Sequence, residues 1–496
     1  MDSTANQAFL AFDLGAESGR AVVGHLENSR LSIEEVHRFP NGPVQVGNSI
    51  YWDLLRLWSE IQIGLGHATT QAGENLISIG LDTWGVDFGL LDEQDNLLGN
   101  PYHYRDNRTN GMMDEVLKIV PRAIIYETTG IQFMQLNSLY QLFAMVQANS
   151  SMLKSAQTFL NIPDLLNFWL TGHRVSEFTI ATTTQCYNPH TATWAYPLLE
   201  QLGIPGHIFQ EIVSPGTILD RILPAIASIS GCNRIPVIAS AGHDTASAVA
   251  AIPTSSPDYI YISSGTWSLL GTEITQPIIT AKALAYDFTN EGGVYGTIRL
   301  LKNIMGLWLI QECRREWRRR GNTYSYDDLT QMAASVPPSS QNPLIWPGDS
   351  RFLSPGDMPT RIQAYCSETR QSIPQAPGAI TRCVLESLAL EYRRISSQIE
   401  DLLNRSLPVI HIIGGGSRNR LLNQLTADAT GKIVISGPAE ATAIGNILVQ
   451  AIATQKIESL AEGRAIVRQS FEVSTFEPQH SNIWDELYER YLKLVR

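Results

Sequence analysis

A histidine, an aspartate and a threonine follow one another at positions 243–245, where a short apolar stretch passes into a run of small residues. The pattern predicts a strand over residues 235–239 and a helix over residues 245–252. Ligands of an open α/β sheet bind outside the carboxyl ends of its strands, so Asp244 would face a cleft and accept a proton from a substrate hydroxyl. The alternative is that Asp244 caps the amino end of the helix.

Three turns rich in glycine and hydroxyl residues have the composition of phosphate-binding loops. The first has the sequence DLGAESGR over residues 13–20, the second is Ser263–Thr266 and the third is Gly414–Ser417. Glycines let the backbone present its N–H groups to an anion, and Ser18 and Arg20 add a hydroxyl donor and a positive charge. Each turn alone is better explained as a tight hairpin, but the occurrence of all three in one chain favours phosphate binding.

Asp13 ends the first predicted strand and opens the first of these turns. A carboxylate at that place would hold Mg²⁺, directly or through water, against the β- and γ-phosphates of a nucleotide. The alternative is an Asx-turn that closes the strand. The chain lacks both the GxxxxGK[ST] loop of P-loop enzymes and the GxGxxG sequence of dinucleotide-binding dehydrogenases, so both classes are disfavoured.

The segment DTWGVD, residues 82–87, places an aromatic ring, a glycine and carboxylates close together. Sugar sites are built in this way, because the ring stacks on the sugar and carboxylates accept hydrogen bonds from its hydroxyls. The segment PYHYRDNRT, residues 101–109, adds the polar side chains of His103, Arg105 and Arg108. A salt-bridged surface loop is the alternative for this second segment, and it explains Arg108 equally well.

Two similar α/β halves must position these residues. The succession of strands and helices starts again after the proline-containing segment Ile252–Asp258, which is the predicted linker. DLGAESG and SSGT occupy matching places in the two halves, and so do IGLDTWG and IIGGGSRN, which indicates two α/β domains with a cleft between them. The predicted strands are 8–14, 20–26, 31–39, 76–81, 86–91, 259–262, 267–270 and 408–413, and the main predicted helices are 52–72 and 417–429, the latter closed by Gly431.

The chain of 496 residues is too long for one hydrophobic core, which stops growing at roughly 250–300 residues. Its formal net charge of −12 disfavours nucleic acid and anionic membranes as partners. Neither a secretory signal nor a membrane-spanning apolar run is recognisable, and five scattered cysteines fit a reducing compartment, so we expect a cytoplasmic protein. Cys366 and Cys383 would meet if their helices packed together, but free buried thiols are expected.

Motifs along nearly the whole chain resemble those of the FGGY carbohydrate kinases. They include FDLGAESGR, SIGLDTWGVDFGLLD, YRDNRTNG, NIPDLLNFWLTG, GHDTASAV, YISSGTWSL, LKNIMGLWL and HIIGGGSRNRLLNQLTADATG, in this order. The resemblance implies two actin-like, ribonuclease H-like domains, residues 1–251 with the sugar site and the catalytic base and residues 252–496 with the ATP site. It implies transfer of the γ-phosphoryl group of ATP to the 1-hydroxyl of L-rhamnulose, with Mg²⁺ held by Asp13, in a monomer or a homodimer.

The resemblance also assigns residues to these roles. It makes Asp244 the catalytic base. The residues implied to contact ATP are Ala16, Glu17, Ser18, Gly19, Arg20, Thr266, Gln311 and Gly415. Those implied to contact the sugar are Gly85, His243, Asp244, Thr245 and Asn303. The family commonly has serine at the position of Glu17, and we expect the side chain of Glu17 to point outward, because a negative charge beside phosphates is costly.

Three other functions stay open at this point. A kinase of the same family for another ketose, such as L-fuculose, L-xylulose or D-xylulose, would carry the same motifs. A sugar sensor without turnover would keep the cleft, but the presence of Asp13, Asp244 and Thr266 disfavours it. A chaperone-like ATPase of the actin superfamily is disfavoured because no peptide-binding domain is recognisable.

Overall fold

The computed structural model describes residues 7–479 and 482–495. These residues form two compact units. The first consists of the described residues up to Ser255 together with Glu273–Leu300 and Ala441–Ser470, and the second contains Ser256–Thr272, Leu301–Glu440 and the described residues from Phe471 onward. The chain therefore passes between the units several times, whereas the sequence analysis draws a single division after residue 251.

The elements are numbered in chain order. The strands within the described residues are β1 (Gln7–Leu14), β2 (Ser18–Glu27), β3 (Arg30–Pro40), β4 (Pro43–Val46), β5 (Ser49–Trp52), β6 (Leu76–Thr83), β7 (Phe88–Leu91), β8 (Thr158–Asn161), β9 (Ser176–Glu177), β10 (Tyr187–Asn188), β11 (Thr193–Trp194), β12 (Ile212–Val213), β13 (Thr217–Arg221), β14 (Pro236–Ala239), β15 (Tyr259–Ser264), β16 (Trp267–Ile274), β17 (Thr289–Gly292), β18 (Ile298–Met305), β19 (Val409–Ile413), β20 (Ile433–Ser436) and β21 (Ser474–Phe476). The α-helices are α1 (Leu54–Ala72), α2 (Met112–Ile119), α3 (Arg122–Thr129), α4 (Ser138–Gln147), α5 (Ser151–Ser155), α6 (Ile162–Thr171), α7 (Phe178–Ala181), α8 (Tyr196–Gln201), α9 (Pro224–Ser230), α10 (Asp244–Ala250), α11 (Ala281–Ala285), α12 (Trp308–Arg319), α13 (Tyr326–Ala334), α14 (Met358–Glu368), α15 (Pro377–Leu403), α16 (Arg420–Thr430), α17 (Ala441–Ala453), α18 (Leu460–Ser470) and α19 (Ile483–Leu492).

The main sheet of the first unit has the strand order β13-β14-β6-β1-β2-β3. β1, β2 and β3 form an antiparallel meander, and β6 and β14 continue the sheet parallel to β1. Every residue of β1 from Ala8 to Leu14 is buried, as expected for a central strand covered on both faces. Helix α1 buries Leu57, Ile61 and Leu65 in the same core, at the spacing that puts them on one helix face.

A second large sheet has the order β17-β18-β16-β15-β19-β20-β21. Within it β15 pairs antiparallel with β16 and parallel with β19, β20 is parallel to β19, and β21 is antiparallel to β20. The strands β2, β1, β6, β14 and β13 of the first unit repeat this succession of orientations. The internal repeat predicted from the matching turns is therefore confirmed: the turn after β1 corresponds to the turn after β15, and the end of β6 to the end of β19.

Three predicted element bounds need correction. The strand predicted over 86–91 begins only at Phe88, because Val86 has a positive φ of 68° that interrupts an extended chain. The helix predicted over 245–252 is Asp244–Ala250. The helix predicted over 417–429 begins at Arg420, after a 3₁₀ turn, and the left-handed Gly431 ends it as predicted.

The two cysteines singled out in the sequence do meet, in the second unit. Cys366 lies in α14 and Cys383 in α15, both are buried, and both are free thiols. The thiol of Cys383 donates a hydrogen bond to Cys366 and lowers the pKa of Cys366. Both parts of the prediction are confirmed. Packing of the two helices brings the side chains together, and the two thiols do not form a disulfide bond.

Candidate active site

Three carboxylates lie at the carboxyl ends of three adjacent parallel strands in the first unit. Asp13 and Asp82 are register partners near the ends of β1 and β6, and Asp244 begins α10, shortly after β14. Burial first, then the negative charge of Asp13 and a smaller effect of Asp244, raise the pKa of Asp82 well above its usual value. The three acids are thus close enough to interact, at the edge where an open α/β sheet binds ligands.

Asp244 does not cap its helix. The residue in the N-cap position of α10 is His243, whose side chain makes no capping hydrogen bond, while Asp244 is already the first helical residue. Its Oδ1 accepts a hydrogen bond from Thr245 Oγ1 at 3.1 Å, and 31% of its side chain is exposed. The structural alternative weighed for this residue is therefore wrong, and the carboxylate remains accessible to a ligand.

The backbone turn between β14 and α10 is held by hydrogen bonds to its neighbours. The N–H group of Thr83, at the end of β6, donates to the carbonyl of Gly242 at 2.9 Å. The hydroxyl of Ser240 donates to the carbonyl of Leu81 at 3.0 Å, and the hydroxyl of Ser247 donates to that of Ala241 at 2.8 Å. These contacts fix the direction in which the chain enters α10, and hence the place of Asp244.

His243 is surrounded by charged side chains. Arg299, fully buried on β18, places Nη2 3.1 Å from His243 Nδ1, and Glu291 on β17 places Oε2 3.4 Å from the same nitrogen. Arg299 and Glu291 form an ion pair at 3.2 Å, and His243 Nε2 lies 3.5 Å from Asp244 Oδ1. Sequence analysis missed Glu291 and Arg299. No local sequence signal marks either residue, because both reach His243 from the later strands β17 and β18.

The first predicted phosphate loop is a β-hairpin turn. Ala16 and Glu17 form the turn, while Ser18, Gly19 and Arg20 already belong to β2. A Cβ atom on Gly19 would lie 2.2 Å from the ring of Phe39, so packing in the sheet explains why this residue is a glycine. Glu17 is exposed, in agreement with the expected outward orientation.

Arg20 and Asp13 are paired directly across β1 and β2. They are register partners, and Nη2 of Arg20 donates a hydrogen bond to Oδ2 of Asp13. The N–H group of Gly15, which an Asx-turn at Asp13 would bind, donates instead to the carbonyl of Ser18 at 2.9 Å, so the alternative of an Asx-turn is not formed. An arginine and a carboxylate so placed provide one positive and one negative group beside the turn.

Asp82 is a buried carboxylate that the sequence analysis placed in a sugar-binding segment. Its Oδ2 accepts a hydrogen bond at 2.5 Å from Nδ2 of Asn446 on α17, and its Oδ1 is buried without a hydrogen-bond partner among the described residues. It is close enough to Asp13 for the two carboxylates to interact, and contact of Asp82 with a sugar remains a prediction. No local sequence signal identifies Asn446, because this partner comes from a helix more than 350 positions further along the chain.

The aromatic and acidic residues after Asp82 form part of the core. Trp84 and Asp87 are buried, and the rings of Trp84 and Trp52 have centroids 3.9 Å apart. Oδ2 of Asp87 accepts hydrogen bonds from the indole nitrogens of Trp52 and Trp84 at 2.6 and 3.0 Å. Burial raises the pKa of Asp87 to about 6. Trp84 and Asp87 are thus engaged with each other, and contact of either side chain with a sugar remains a prediction.

Gly85 packs closely against Thr183. A Cβ atom on Gly85 would lie 3.3 Å from Thr183 Oγ1, which accepts a hydrogen bond from the N–H group of Val86 at 3.2 Å. The adjacent Thr245 is buried in α10. Contact of Gly85 or Thr245 with a sugar remains a prediction.

The PYHYRDNRT segment is mostly bound to itself and its neighbours. Arg108 donates to Gln141 Oε1 at 2.7 Å and lies 3.9 Å from the centre of the Tyr102 ring. Its Nη1 lies 3.7 Å from Asp106 Oδ1, so the ion pair of the alternative is present, but both side chains are mostly buried and do not form a surface loop. His103 is buried against Trp52, and burial is the main cause that lowers its pKa to about 3. Arg105 is half-buried and remains the candidate of this segment for a polar ligand contact.

The second and third predicted phosphate loops adjoin in the second unit. They follow the parallel strands β15 and β19, whose register pairs Ser263 with Ile413. A Cβ atom on Gly416 would lie 2.0 Å from Ser264 Oγ, so glycine lets the two turns approach, whereas a Cβ on Gly415 would point into open space. Most of the loop Gly414–Ser417 is itself part of a 3₁₀ turn, Gly415–Arg418, and the α-helix begins only at Arg420, which corrects the prediction.

Thr266 and Gln311 are joined through the start of α12. The carbonyl of Thr266 accepts hydrogen bonds from the N–H groups of Gly306 at 3.2 Å and Trp308 at 3.1 Å. Oε1 of Gln311 is buried without a hydrogen-bond partner among the described residues, as a group awaiting a ligand donor would be. Asn303 lies on β18 in the second unit, whereas the other predicted sugar contacts belong to the first.

Two kinds of feature are absent from the described residues. In ranges 7–479 and 482–495, no three His, Cys, Asp or Glu side chains are arranged to hold a metal ion. None of the helices in these ranges is long and apolar enough to cross a bilayer.

Family models match both parts of the chain. The N-terminal domain of the FGGY family of carbohydrate kinases matches residues 8–251, and the C-terminal domain of the same family matches residues 260–454. The matched residues include the three acids of the first unit and both turns of the second.

Curated proteins and solved structures resemble the chain over nearly its whole length. A rhamnulokinase of Bacteroides thetaiotaomicron is 45% identical over 99% of this chain and 100% of its own length. A rhamnulokinase of Oceanobacillus iheyensis is 46% identical over 95% of this chain and 98% of its own. The crystal structure of a ligand-bound xylulose kinase from Lactobacillus acidophilus has a TM-score of 0.81 and 18% identity, covering 98% of this chain and 97% of that one, which establishes the fold.

Proposed function

Because the chain belongs to the FGGY family of carbohydrate kinases, we propose that it transfers the γ-phosphoryl group of ATP to the 1-hydroxyl of L-rhamnulose. Full-length identity of 45–46% to two rhamnulokinases supports this choice of sugar. The similarity to a xylulose kinase is too low to favour D-xylulose. The observation that carries the chemistry is the position of Asp244, an accessible carboxylate at the carboxyl end of a parallel sheet that does not cap its own helix.

Asp244 is the proposed general base. The transition state of phosphoryl transfer is loose, so the protein mainly positions the reactants and neutralises charge. The carboxylate of Asp244 orients the sugar hydroxyl and accepts its proton as the bond to phosphorus forms. His243, Thr245, Gly85 and Asn303 are proposed to contact the sugar.

ATP is the phosphoryl donor of this enzyme class, and the proposed contacts come from three turns and one helix. They are Ala16, Glu17, Ser18, Gly19, Arg20, Thr266, Gln311 and Gly415. Mg²⁺ would be held by Asp13, whose carboxylate is the kind of ligand that this ion prefers, and would neutralise phosphate charge when bound. Arg20, which is paired with Asp13, brings a further positive charge to the same turn.

We also propose that the protein works in the cytoplasm, as a monomer or a homodimer. The assignment rests on the substrates: ATP and the phosphorylated sugar of a catabolic kinase are cytoplasmic metabolites of the cell. Separation of the sugar site and the ATP site between residues 1–251 and 252–496 is part of the same proposal.

The proposal is tested by ADP release in the presence of Mg²⁺ and ATP. L-Rhamnulose, L-fuculose, L-xylulose and D-xylulose are compared in one assay, and kcat/KM is expected to be highest for L-rhamnulose. A preference for another ketose would keep the kinase and change the substrate. Absence of ADP release with every sugar would instead favour the sugar sensor.

The matched variant is Asp244→Asn, which keeps the shape of the side chain and removes its basicity. Loss of a general base typically costs about 10²–10⁴-fold in rate, and we expect kcat to fall in that range while sugar binding, measured by calorimetry, is retained. Turnover within a few-fold of the unsubstituted enzyme would show that another group accepts the proton.

A further inference from the structure

We propose that Glu177 and Thr179 are positioning residues that hold Asp244 in its productive place, an inference that rests on the proposed function of Asp244 as base. Glu177 ends the short strand β9 and Thr179 lies in the following helix α7, more than 60 positions before the turn they contact. Neither residue belongs to any motif singled out in the sequence.

The two side chains bind consecutive N–H groups just before the base. Glu177 Oε2 accepts a hydrogen bond from the N–H group of Gly242 at 2.9 Å. Thr179 Oγ1 accepts one from the N–H group of His243 at 3.2 Å and donates its own hydrogen to Glu177 Oε2 at 2.6 Å. The two N–H groups that immediately precede Asp244 are thus both bound by this pair of side chains.

Glu177 joins the start of α7 to the turn before Asp244. It is fully buried, and its carboxylate caps α7 by accepting from the N–H groups of Thr179 and Ile180, in addition to the two donors already named. A buried carboxylate is costly unless it is hydrogen-bonded, and here the same group satisfies the helix start and the N–H group of Gly242, so the position of α7 and the direction of the turn are coupled. A Cβ atom on Gly242 would lie 3.0 Å from Glu177 Oε2, so glycine lets the turn approach the carboxylate.

On the carbonyl side of the turn, the N–H group of Thr83 donates to the carbonyl of Gly242, and the hydroxyl of Ser247 donates to that of Ala241. Glu177 and Thr179 therefore complete a clamp that fixes the two peptide planes on either side of Gly242, directly before His243 and Asp244. A reacting group displaced by about 1 Å can lose about 10²-fold in rate, so this clamp can control turnover without touching the substrate.

The test compares two substitutions of Thr179. Thr179→Val keeps the shape of the side chain and removes its hydroxyl. We expect kcat to fall about tenfold, which is less than the loss expected when the base itself is removed, because Asp244 is displaced but still present. The KM for ATP should change less than about twofold. Thr179→Ser retains the hydroxyl and is expected to restore kcat to within about twofold of the unsubstituted enzyme.

The control is Thr171→Val. Thr171 is also buried, and its hydroxyl donates to the carbonyl of Asn167 within its own helix. We expect a comparable loss of thermal stability with unchanged kcat. Two results would overturn the inference. One is an equal loss of kcat in Thr179→Val and Thr179→Ser, and the other is a loss of kcat in Thr171→Val as large as in Thr179→Val. Either would mean that Glu177 and Thr179 only stabilise the fold.

Glu177→Gln keeps the inference testable if Thr179→Val does not fold. It replaces one acceptor oxygen with a donor facing N–H groups, so kcat is again expected to fall, by about tenfold or more, with little change in KM for ATP. Sugar-dependent ADP release by the unsubstituted enzyme is measured alongside. Its absence overturns the proposed function itself, whereas its presence with full kcat in both variants overturns only the positioning role.

Discussion

The hydrogen on the imidazole of His243 is placed by Arg299. A guanidinium group can donate hydrogen bonds but cannot accept them, so the approach of Arg299 Nη2 to His243 Nδ1 at 3.1 Å makes Nδ1 the acceptor. The ring hydrogen then sits on Nε2, which lies 3.5 Å from Asp244 Oδ1. In this tautomer the imidazole of His243 offers one N–H donor beside the proposed base, where a sugar hydroxyl would be oriented.

Substitution of Arg299 tests this assignment. Arg299→Met removes the donor to Nδ1 and leaves Glu291 without its cation, so we expect the KM for L-rhamnulose to rise about tenfold. In ¹⁵N spectra of labelled histidine, the unsubstituted protein should show the Nε2–H tautomer of His243. Arg382→Met, which breaks a buried ion pair with Glu386 in the second unit, is the control and should leave KM unchanged. An Nδ1–H tautomer in the unsubstituted protein would contradict the argument.

At the scale of residues, the sequence predicted only those site residues that are neighbours along the chain. His243, Asp244 and Thr245 form one short motif, and their chemistry can be recognised from residue types alone. Arg299 and Glu177 reach the same turn from distant parts of the chain, and nothing in their neighbourhoods marks them. The contact of Trp52 with Trp84 and Asp87 was not predictable for the same reason, since Trp52 lies outside their segment.

At the scale of elements, α10 is positioned by α17. The two helices pack in the first unit at Gly445, where an added Cβ atom would lie 1.7 Å from the carbonyl oxygen of Ser247. The next residue of α17, Asn446, donates to Asp82 on β6. About one turn further along, Gln450 Nε2 donates to the carbonyl of Leu10 on β1. Helix α17 therefore contacts the sheet and the helix that begins with Asp244.

Gly445→Ala is expected to disturb both stability and turnover. The methyl group cannot be accommodated without moving α10, and overpacking of this kind costs about 1–3 kcal/mol. We therefore expect a lower melting temperature and a reduced kcat, because Asp244 moves with its helix. Gly66→Ala in α1 is the matched control: its Cβ would have only the carbonyl oxygen of Ser230 nearby, at 3.9 Å.

The control should stabilise the protein slightly, because alanine is favoured over glycine in a helix by about 1 kcal/mol. Its kcat should be unchanged. Equal effects of the two substitutions on the melting temperature would mean that α10 and α17 can move apart at little cost in free energy.

At the scale of the whole molecule, the repeat of strand orientations is what the sequence predicted best. Alternating apolar segments located the meander β1–β3 and helix α1 to within about two residues, since the buried faces of these elements have clear periods. The interleaving of compact units was not predictable in the same way. Glu273–Leu300 and Ala441–Ser470 belong to the first unit through packing with residues far away in the sequence.

Buried carboxylates tie the stability of the first unit to pH. Glu177 lies on β9, and the buried Asp164 of α6 accepts a hydrogen bond from its N–H group at 3.0 Å. Burial, opposed by hydrogen bonds, raises the pKa of Glu177 to about 7 from 4.5, and burial raises that of Asp164 well above its usual value. Because the folded protein binds these protons more tightly than the unfolded chain, their contribution to stability is greatest at low pH and is lost as the pH rises toward 7.

The variant Glu177→Gln isolates this effect from all other titrating groups. Between pH 6 and pH 8 the unsubstituted protein should lose about 1 kcal/mol of stability through Glu177, a change that the uncharged glutamine cannot show. The gap in melting temperature between the two proteins should therefore be wider at pH 6 than at pH 8, by about 2 °C. Thr171→Val serves as the control, since its gap to the unsubstituted protein should not vary with pH. A constant gap for Glu177→Gln would mean that Glu177 stays ionised over this range, and its carboxylate would then bind the turn before Asp244 equally well at both pH values.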